Sequence, residues 1–251
     1  ADAEGQVLAT AEGLGTVQLA ANGITPWTPE TPALYTLRVN VTANGTADTA
    51  EQRIGIRTIQ VSSKTGLLLN GQPRTMKGGC VHHDLGILGA ADHAAAERRR
   101  IRLMKESGFD AIRAAHNPFG PAFLDACDEL GMLVVEEAFD EWVMGRTSFG
   151  LHVTFEQCWE KDLEDMITRD YNHPCIVMWS TGNEVEERDG TADGFAWAKR
   201  LADKVRSLDA SRPVSATACA LFSEYGNRPA GGTTGNQALN MAYDTFAEGR
   251  D

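Results

Sequence analysis

From residue 73 onward, short apolar segments alternate with longer amphipathic ones, and this rhythm constrains the fold more than any other feature. The apolar segments are TMKGGCV (75–81), AIRAA (111–115), LVVEEAF (133–139), IVMWSTG (176–182) and VSATAC (214–219). They are continuously apolar, as strands covered on both faces are. Helical patterns fill the gaps. One is capped by Asp92, runs to Ser107 and is stopped by Gly108, and a shorter one, AFLDACDEL, ends at Gly131. A third opens on a Thr154–Gln157 capping box and aligns Phe155, Trp159, Leu163, Met166 and Ile167 on one face; a fourth covers 191–208. Strands alternating with helices make a parallel sheet with helices on its faces. Five strand units fit either part of an eight-unit (β/α)8 barrel or a doubly wound sheet.

Residues 1–62 read differently. TVQLA, LYTLRVNVT and TAEQRIGIRTIQV are short alternating runs, separated by turn signals such as Ala43-Asn44-Gly45. Val39 and Val41 share one face and Arg38 and Asn40 the other, the period of a half-buried antiparallel strand. Three or four such strands predict part of an immunoglobulin-like β-sandwich, which has about seven when complete. The expected division is therefore a sandwich domain over 1–62 and a barrel-type domain over 63–251.

The net charge of −12 argues against nucleic acid or an anionic membrane as partner. No apolar run reaches the length of about 18 residues that a membrane span needs. The first ten residues, ADAEGQVLAT, have no basic segment or apolar core, so no signal peptide is expected and the expected location is cytoplasmic. That start has no initiator Met and reads as a truncated N-terminus. The five cysteines, at 80, 127, 158, 175 and 219, form no Cys-x-x-Cys pair and read as reduced, mostly buried thiols. Asn40-Val-Thr42 and Asn44-Gly-Thr46 match the glycosylation sequon but read as turn chemistry.

The first four strands each end in a polar group: His82-His83-Asp84; His116-Asn117; Glu136-Glu137 with Asp140 and Trp142; and Asn183-Glu184. In a barrel these ends converge on one mouth, where such enzymes act. No phosphate-cradling glycine loop follows the first strand, which opposes a dinucleotide-binding domain. His93 and His152 read as surface residues, His173 as a helix C-terminal cap, and Glu186-Glu187-Arg188-Asp189 as a solvated loop.

Taken together and in order, WTPETPALYTL, RIGIRTI, LLLNGQPRTMKGGCVHHDLGILGAA, AIRAAHNP, LGMLVVEEAFDEW, KDLEDMITRDYNHPCIVMWSTGNE and RPVSAT resemble glycoside hydrolase family 2, in its bacterial β-galactosidase branch. The resemblance implies part of a TIM barrel, about five of eight units, behind part of an immunoglobulin-like sandwich. It implies retaining hydrolysis of terminal β-D-galactosides, with Glu184 as general acid/base and Asn183 on the sugar 2-hydroxyl. His82, His116 and Glu137 are similar to residues lining the galactose subsite, Arg113 to a buried support, and Asn117, Asp140 and Trp142 fall in the same substrate-binding set. Val81 departs from the Asn that many members carry. Phe139 stands where some β-galactosidases place a metal-binding His, so no metal site and no cofactor are expected, the Mg²⁺ site near Glu137 and Glu184 being the one in doubt. A homo-oligomer is consistent with a full-length member. The alternatives are a β-glucuronidase or β-mannosidase of the same family, or a non-catalytic carbohydrate-binding protein.

Retention requires a second carboxylate about 5–5.5 Å from the first. Ser-Glu-Tyr-Gly (223–226) resembles the family's nucleophile motif, but Glu224 follows Glu184 by only 40 residues (224 − 184). A strand–helix unit takes about 30 residues, and three units separate the fourth strand from the seventh. Glu224 is therefore read as a loop residue, with the nucleophile expected beyond residue 251 and the chain alone expected to be inactive.

Overall fold

The structure, a computed structural model, describes residues 1–189 and 191–215. Its first ladder is an antiparallel hairpin of β1 (Tyr35–Ala43) and β2 (Thr46–Ile54). Asn44 and Gly45 turn it with φ of 52° and 78°, the left-handed pair that an Asn-Gly turn adopts at least cost. Val39 and Val41, expected to be half-buried, are 47% and 56% exposed, because burial is confined to the Tyr35 end of the strand. The run at 16–20, expected as a strand, joins no ladder among the described residues. A three-stranded antiparallel sheet follows: β3 (Ile59–Ser62), β4 (Gly66–Leu69) and β5 (Gln72–Pro73).

Five strands then form one parallel sheet: β6 (Gly78–His82), β7 (Ala111–Ala115), β8 (Leu133–Glu137), β9 (Ile176–Ser180) and β10 (Val214–Ser215). Their order in space is their order in the chain, each strand pairing only with its sequence neighbours. A doubly wound sheet reverses its order at a switch point, and this sheet does not. The architecture is thus the TIM-barrel portion expected, preceded by part of a β-sandwich. At Gly78 an added Cβ would lie 2.1 Å from the Ala111 carbonyl oxygen, so the β6–β7 approach requires glycine there.

Helices α1 (Ala94–Glu106), α2 (Pro121–Leu130), α3 (Phe155–Asp170) and α4 (Gly194–Leu208) connect the strands. Gly108 follows the α1 C-cap at φ 88° and Gly131 caps α2 at φ 73°, as their positions predict. Two caps differ from expectation. His93, not Asp92, is the α1 N-cap, and the Asp92 carboxylate instead accepts the Ala122 N–H at the start of α2, 3.1 Å away. The Thr154–Gln157 box does not form: the Gln157 N–H bonds the Thr154 carbonyl, and the Thr154 hydroxyl donates to the Leu151 carbonyl at 3.5 Å instead of capping the helix. The apolar face of α3 is buried as patterned, with Phe155, Leu163, Met166 and Ile167 in the core and Trp159 packed against it. No described helix is long and apolar enough to cross a membrane.

The segments before the barrel dock on the end of the sheet opposite its polar groups. Trp27 is fully buried and donates its indole N–H to the Asp128 carbonyl at 2.9 Å. Arg57 donates to the carbonyls of Pro174 and Ile176 at 3.0 and 2.6 Å. Gly55 lies so close to Pro174 that a Cβ would stand 2.6 Å from its ring. His173, expected to be a simple cap, belongs to this seam: its Nδ1 lies 2.6 Å from Asp128 Oδ2, while Asp128 Oδ1 accepts the Cys175 N–H at 2.9 Å.

Candidate active site

The period of two along a strand decides which polar side chains reach the mouth. Glu136 and Glu137 are adjacent on β8 and face opposite ways. Glu137 turns into the barrel, has no exposed surface and anchors the polar groups of three strands. Arg113 of β7 donates to its Oε2 from Nη2 at 2.6 Å and from Nε at 3.0 Å. Ser180 of β9, in register with Glu137, donates to the same oxygen at 2.7 Å. Oε1 lies 2.7 Å from Nδ1 of His116, which follows β7 and meets the His82 ring edge-on at 5.0 Å. Burial works against the charge of Arg113, but the Glu137 carboxylate outweighs it and holds the guanidinium above its ordinary value.

The chain of contacts continues to the end of β9. Arg113 Nη2 donates to Asn183 Oδ1 at 2.9 Å, and Asn183 Nδ2 donates to Asp140 Oδ1 at 2.7 Å. This fixes the Asn183 amide at both ends. Burial raises the Asp140 carboxyl, but hydrogen bonds from Asn183 and Arg146 prevail and hold it below the ordinary aspartate value. Glu184, beside Asn183, is part-exposed and accepts a 2.6 Å hydrogen bond from Arg146 Nη1.

Arg146, which pattern reading did not single out, is held in place by a loop with internal carboxylate anchors. Glu141 accepts the backbone N–H of Arg146 and of His152 at 3.0 and 3.2 Å and lies 3.1 Å from His152 Nδ1. Glu187, expected in a solvated loop, is fully buried and accepts the Met144 N–H at 2.6 Å. His152 is likewise half-buried in this network rather than a surface residue. The one signal for Arg146 in the sequence is a lone cation just downstream of an acidic pair, DEWVMGR.

The mouth therefore brings together His82, His116, Arg113, Glu137, Asp140, Asn183 and Glu184. Two expected members lie elsewhere. Trp142 has no exposed surface and donates its indole N–H to the Thr181 carbonyl at 2.8 Å, so it supports the turn carrying Asn183 from beneath. Asn117 lines a separate cavity of about 330 Å³ with Pro118, Phe139, Asp162 and Arg169.

The donor set at the mouth does not suit a divalent cation. Both Glu137 oxygens already face Arg113, Ser180 and His116, and Glu184 faces Arg146. Phe139 supplies no ligand and packs edge-on against Phe155 at 5.1 Å. A second group with metal-binding side chains, Asp128, His173 and Cys175, has its ligand atoms within 4.8 Å of one another. It lies in the seam at the opposite end of the sheet, where mutual hydrogen bonds occupy both Asp128 oxygens.

Known proteins match this arrangement along most of the chain. The sequence profile of "Glycosyl hydrolases family 2, TIM barrel domain" matches residues 59–226, and that of "Glycosyl hydrolases family 2" matches 1–57. The chain is 36% identical to Beta-galactosidase BoGH2A of Bacteroides ovatus, over 86% of this chain and 30% of that protein. It is 32% identical to a Beta-galactosidase of Thermoanaerobacter pseudethanolicus, over 75% of this chain and 24% of that protein. The chain thus spans less than a third of the length of these relatives. A glycosyl hydrolase family 2 member from Bacteroides cellulosilyticus superposes with a TM-score of 0.82 at 38% identity, covering 86% of this chain and 29% of the other. A beta-D-glucuronidase from Dictyoglomus thermophilum gives a TM-score of 0.76 at 26% identity, covering 89% and 39%.

Proposed function

The chain belongs to glycosyl hydrolase family 2, and from that premise we propose that the protein carrying it is a retaining exo-β-galactosidase with Glu184 as general acid/base. One arrangement carries the reading: a continuous hydrogen-bonded path from His116 through Glu137, Arg113 and Asn183 to Asp140, ending beside Glu184 at the C-terminal edge of three parallel strands. Glu184 protonates the glycosidic oxygen as the leaving group departs, then takes a proton from the water that releases the covalent sugar intermediate. Asn183 has one amide hydrogen engaged by Asp140 and a second free for the sugar 2-hydroxyl. Glu137 does not compete for either role, since both its oxygens are bonded. The nucleophile is assigned to the end of a later strand than β10; Glu224 lies outside the described residues.

A galactoside suits the mouth better than a uronide. A uronate carboxylate needs a cation to receive it, and the described guanidiniums there, Arg113 and Arg146, already hold Glu137, Asp140 and Glu184. The structural likeness to a beta-D-glucuronidase keeps that second reading open to test. A panel of nitrophenyl galactoside, glucuronide and mannoside on the whole protein separates them. Glu184→Gln should abolish cleavage of alkyl galactosides yet largely spare substrates whose leaving group needs no proton. Equal loss on both would remove Glu184 from the acid/base role. Sugar binding without turnover, unchanged by Glu184→Ala, would mark a binding protein instead.

A further inference from the structure

Arg146 sits among three carboxylates: its Nη1 donates to Glu184, its Nη2 pairs with Asp140, and its Nε lies 3.9 Å from Glu141 Oε2 without a hydrogen bond. One positive charge is thus shared by three acids, and it is delivered by a loop whose backbone is bonded to Glu141 and Glu187. We infer that Arg146 is a positioning residue for Glu184, fixing the direction in which its carboxylate meets the glycosidic oxygen. The inference rests on the reading of Glu184 as the acid/base.

A general acid/base changes its protonation state twice in each turnover. A buried cation whose sole partner was that acid would be stranded whenever the acid became neutral, at substantial cost. Arg146 avoids this, because Asp140 remains bonded and Glu141 stands within reach of the unbonded Nε. The adjoining network carries further charged and titratable groups: Arg113 and His116 from β7 and its following loop, Glu137 from β8, and Glu187 from the turn after β9. Arg113, His116 and Glu137 pair with one another, and Glu187 is bonded to the Met144 N–H. Arg146 is the guanidinium bonded directly to Glu184.

The test compares kcat/KM on the whole protein for an alkyl β-galactoside, whose leaving group needs a proton, and a dinitrophenyl β-galactoside, whose leaving group does not. Arg146→Met should lower the alkyl rate by about 10-fold or more while changing the dinitrophenyl rate by less than about 3-fold, and Arg146→Lys should recover part of the loss. Equal loss on both substrates means the loop is merely structural and overturns the inference, as does an unchanged alkyl rate. Should Arg146→Met fail to fold, Arg146→Gln decides by the same ratio: a selective alkyl loss supports the inference, and an equal loss or none overturns it. Glu184→Gln is the control for the parent reading. If it retains alkyl-galactoside activity, the titrating group lies elsewhere and both readings fall, whatever Arg146 does.

Discussion

Glu136, the outward-facing partner of Glu137, should give this protein a pH-dependent stability that a single substitution removes. It has no exposed surface; its Oε1 accepts the Phe119 N–H at 2.7 Å and its Oε2 has no partner. Burial first, and then the nearby Asp170 charge, push its carboxyl from 4.5 up to about 8. The folded value lies above the unfolded one, so the folded state binds this proton more tightly. Its stability contribution is full below about pH 4.5 and is lost as pH rises to about 8. At about 1.4 kcal/mol per pH unit, roughly 3 kcal/mol is gone by pH 7 and about 4 kcal/mol by pH 8. Glu136→Gln keeps the shape and the acceptor for Phe119 while removing the charge. Its unpartnered amide adds a cost of about 1–3 kcal/mol that does not depend on pH, so the informative quantity is how the difference from wild type changes. Urea denaturation followed by tryptophan fluorescence at pH 5 and pH 8 should show that difference moving in the variant's favour by about 3 kcal/mol. A difference that stays constant between the two pH values refutes the reasoning, and one moving the other way means Arg169 keeps Glu136 ionised.

Two more outcomes concern the seam beneath the barrel. Trp27→Ala should cost about 3–5 kcal/mol from lost burial, and Trp27→Phe about 1 kcal/mol from the lost bond to Asp128; limited proteolysis of 27–75 should accelerate in the same order. Burial lowers the affinity of His173 for its proton, but the Asp128 hydrogen bond and charge prevail and raise it above the ordinary value of 6.5. Its contribution should be full below about pH 6.5 and fade as pH rises through the folded value, a slope that His173→Gln should flatten in urea titrations.

Strands β7, β8 and β9 were readable because burial on both faces leaves a continuous apolar run, and AIRAA coincides with β7 residue for residue, whereas β6 at the sheet edge is mostly exposed. Helix ends marked by glycine were readable too, since Gly108 and Gly131 act through their own backbone conformation. What could not be read depends on partners distant in the chain. Asp92 has the composition of a local cap, yet the fold brings Ala122 to it from 30 residues away. Glu187 and His152 look like loop polarity until Met144 and Glu141 close around them. The mouth was legible as a set of strand-end residues, but not its wiring. No pattern in the sequence shows that Glu137 is the hub, that Trp142 is a buried prop, or that Arg146 reaches Glu184.

The coincidence of chain order and sheet order has a consequence for synthesis. A ribosome releases each strand next to the one it pairs with, so the sheet grows by accretion at a single advancing edge. Mouth residues emerge in the same sequence: His82, then Arg113 and His116, then Glu137, then Asn183 and Glu184. Glu137 finds Arg113 and His116 waiting on the preceding strand unit and receives Ser180 with the following one. The carboxylate at the heart of the mouth thus also fastens three successive additions to the sheet. Its loss should be felt in nascent chains, as sticking at that advancing edge, before it is felt in the finished protein.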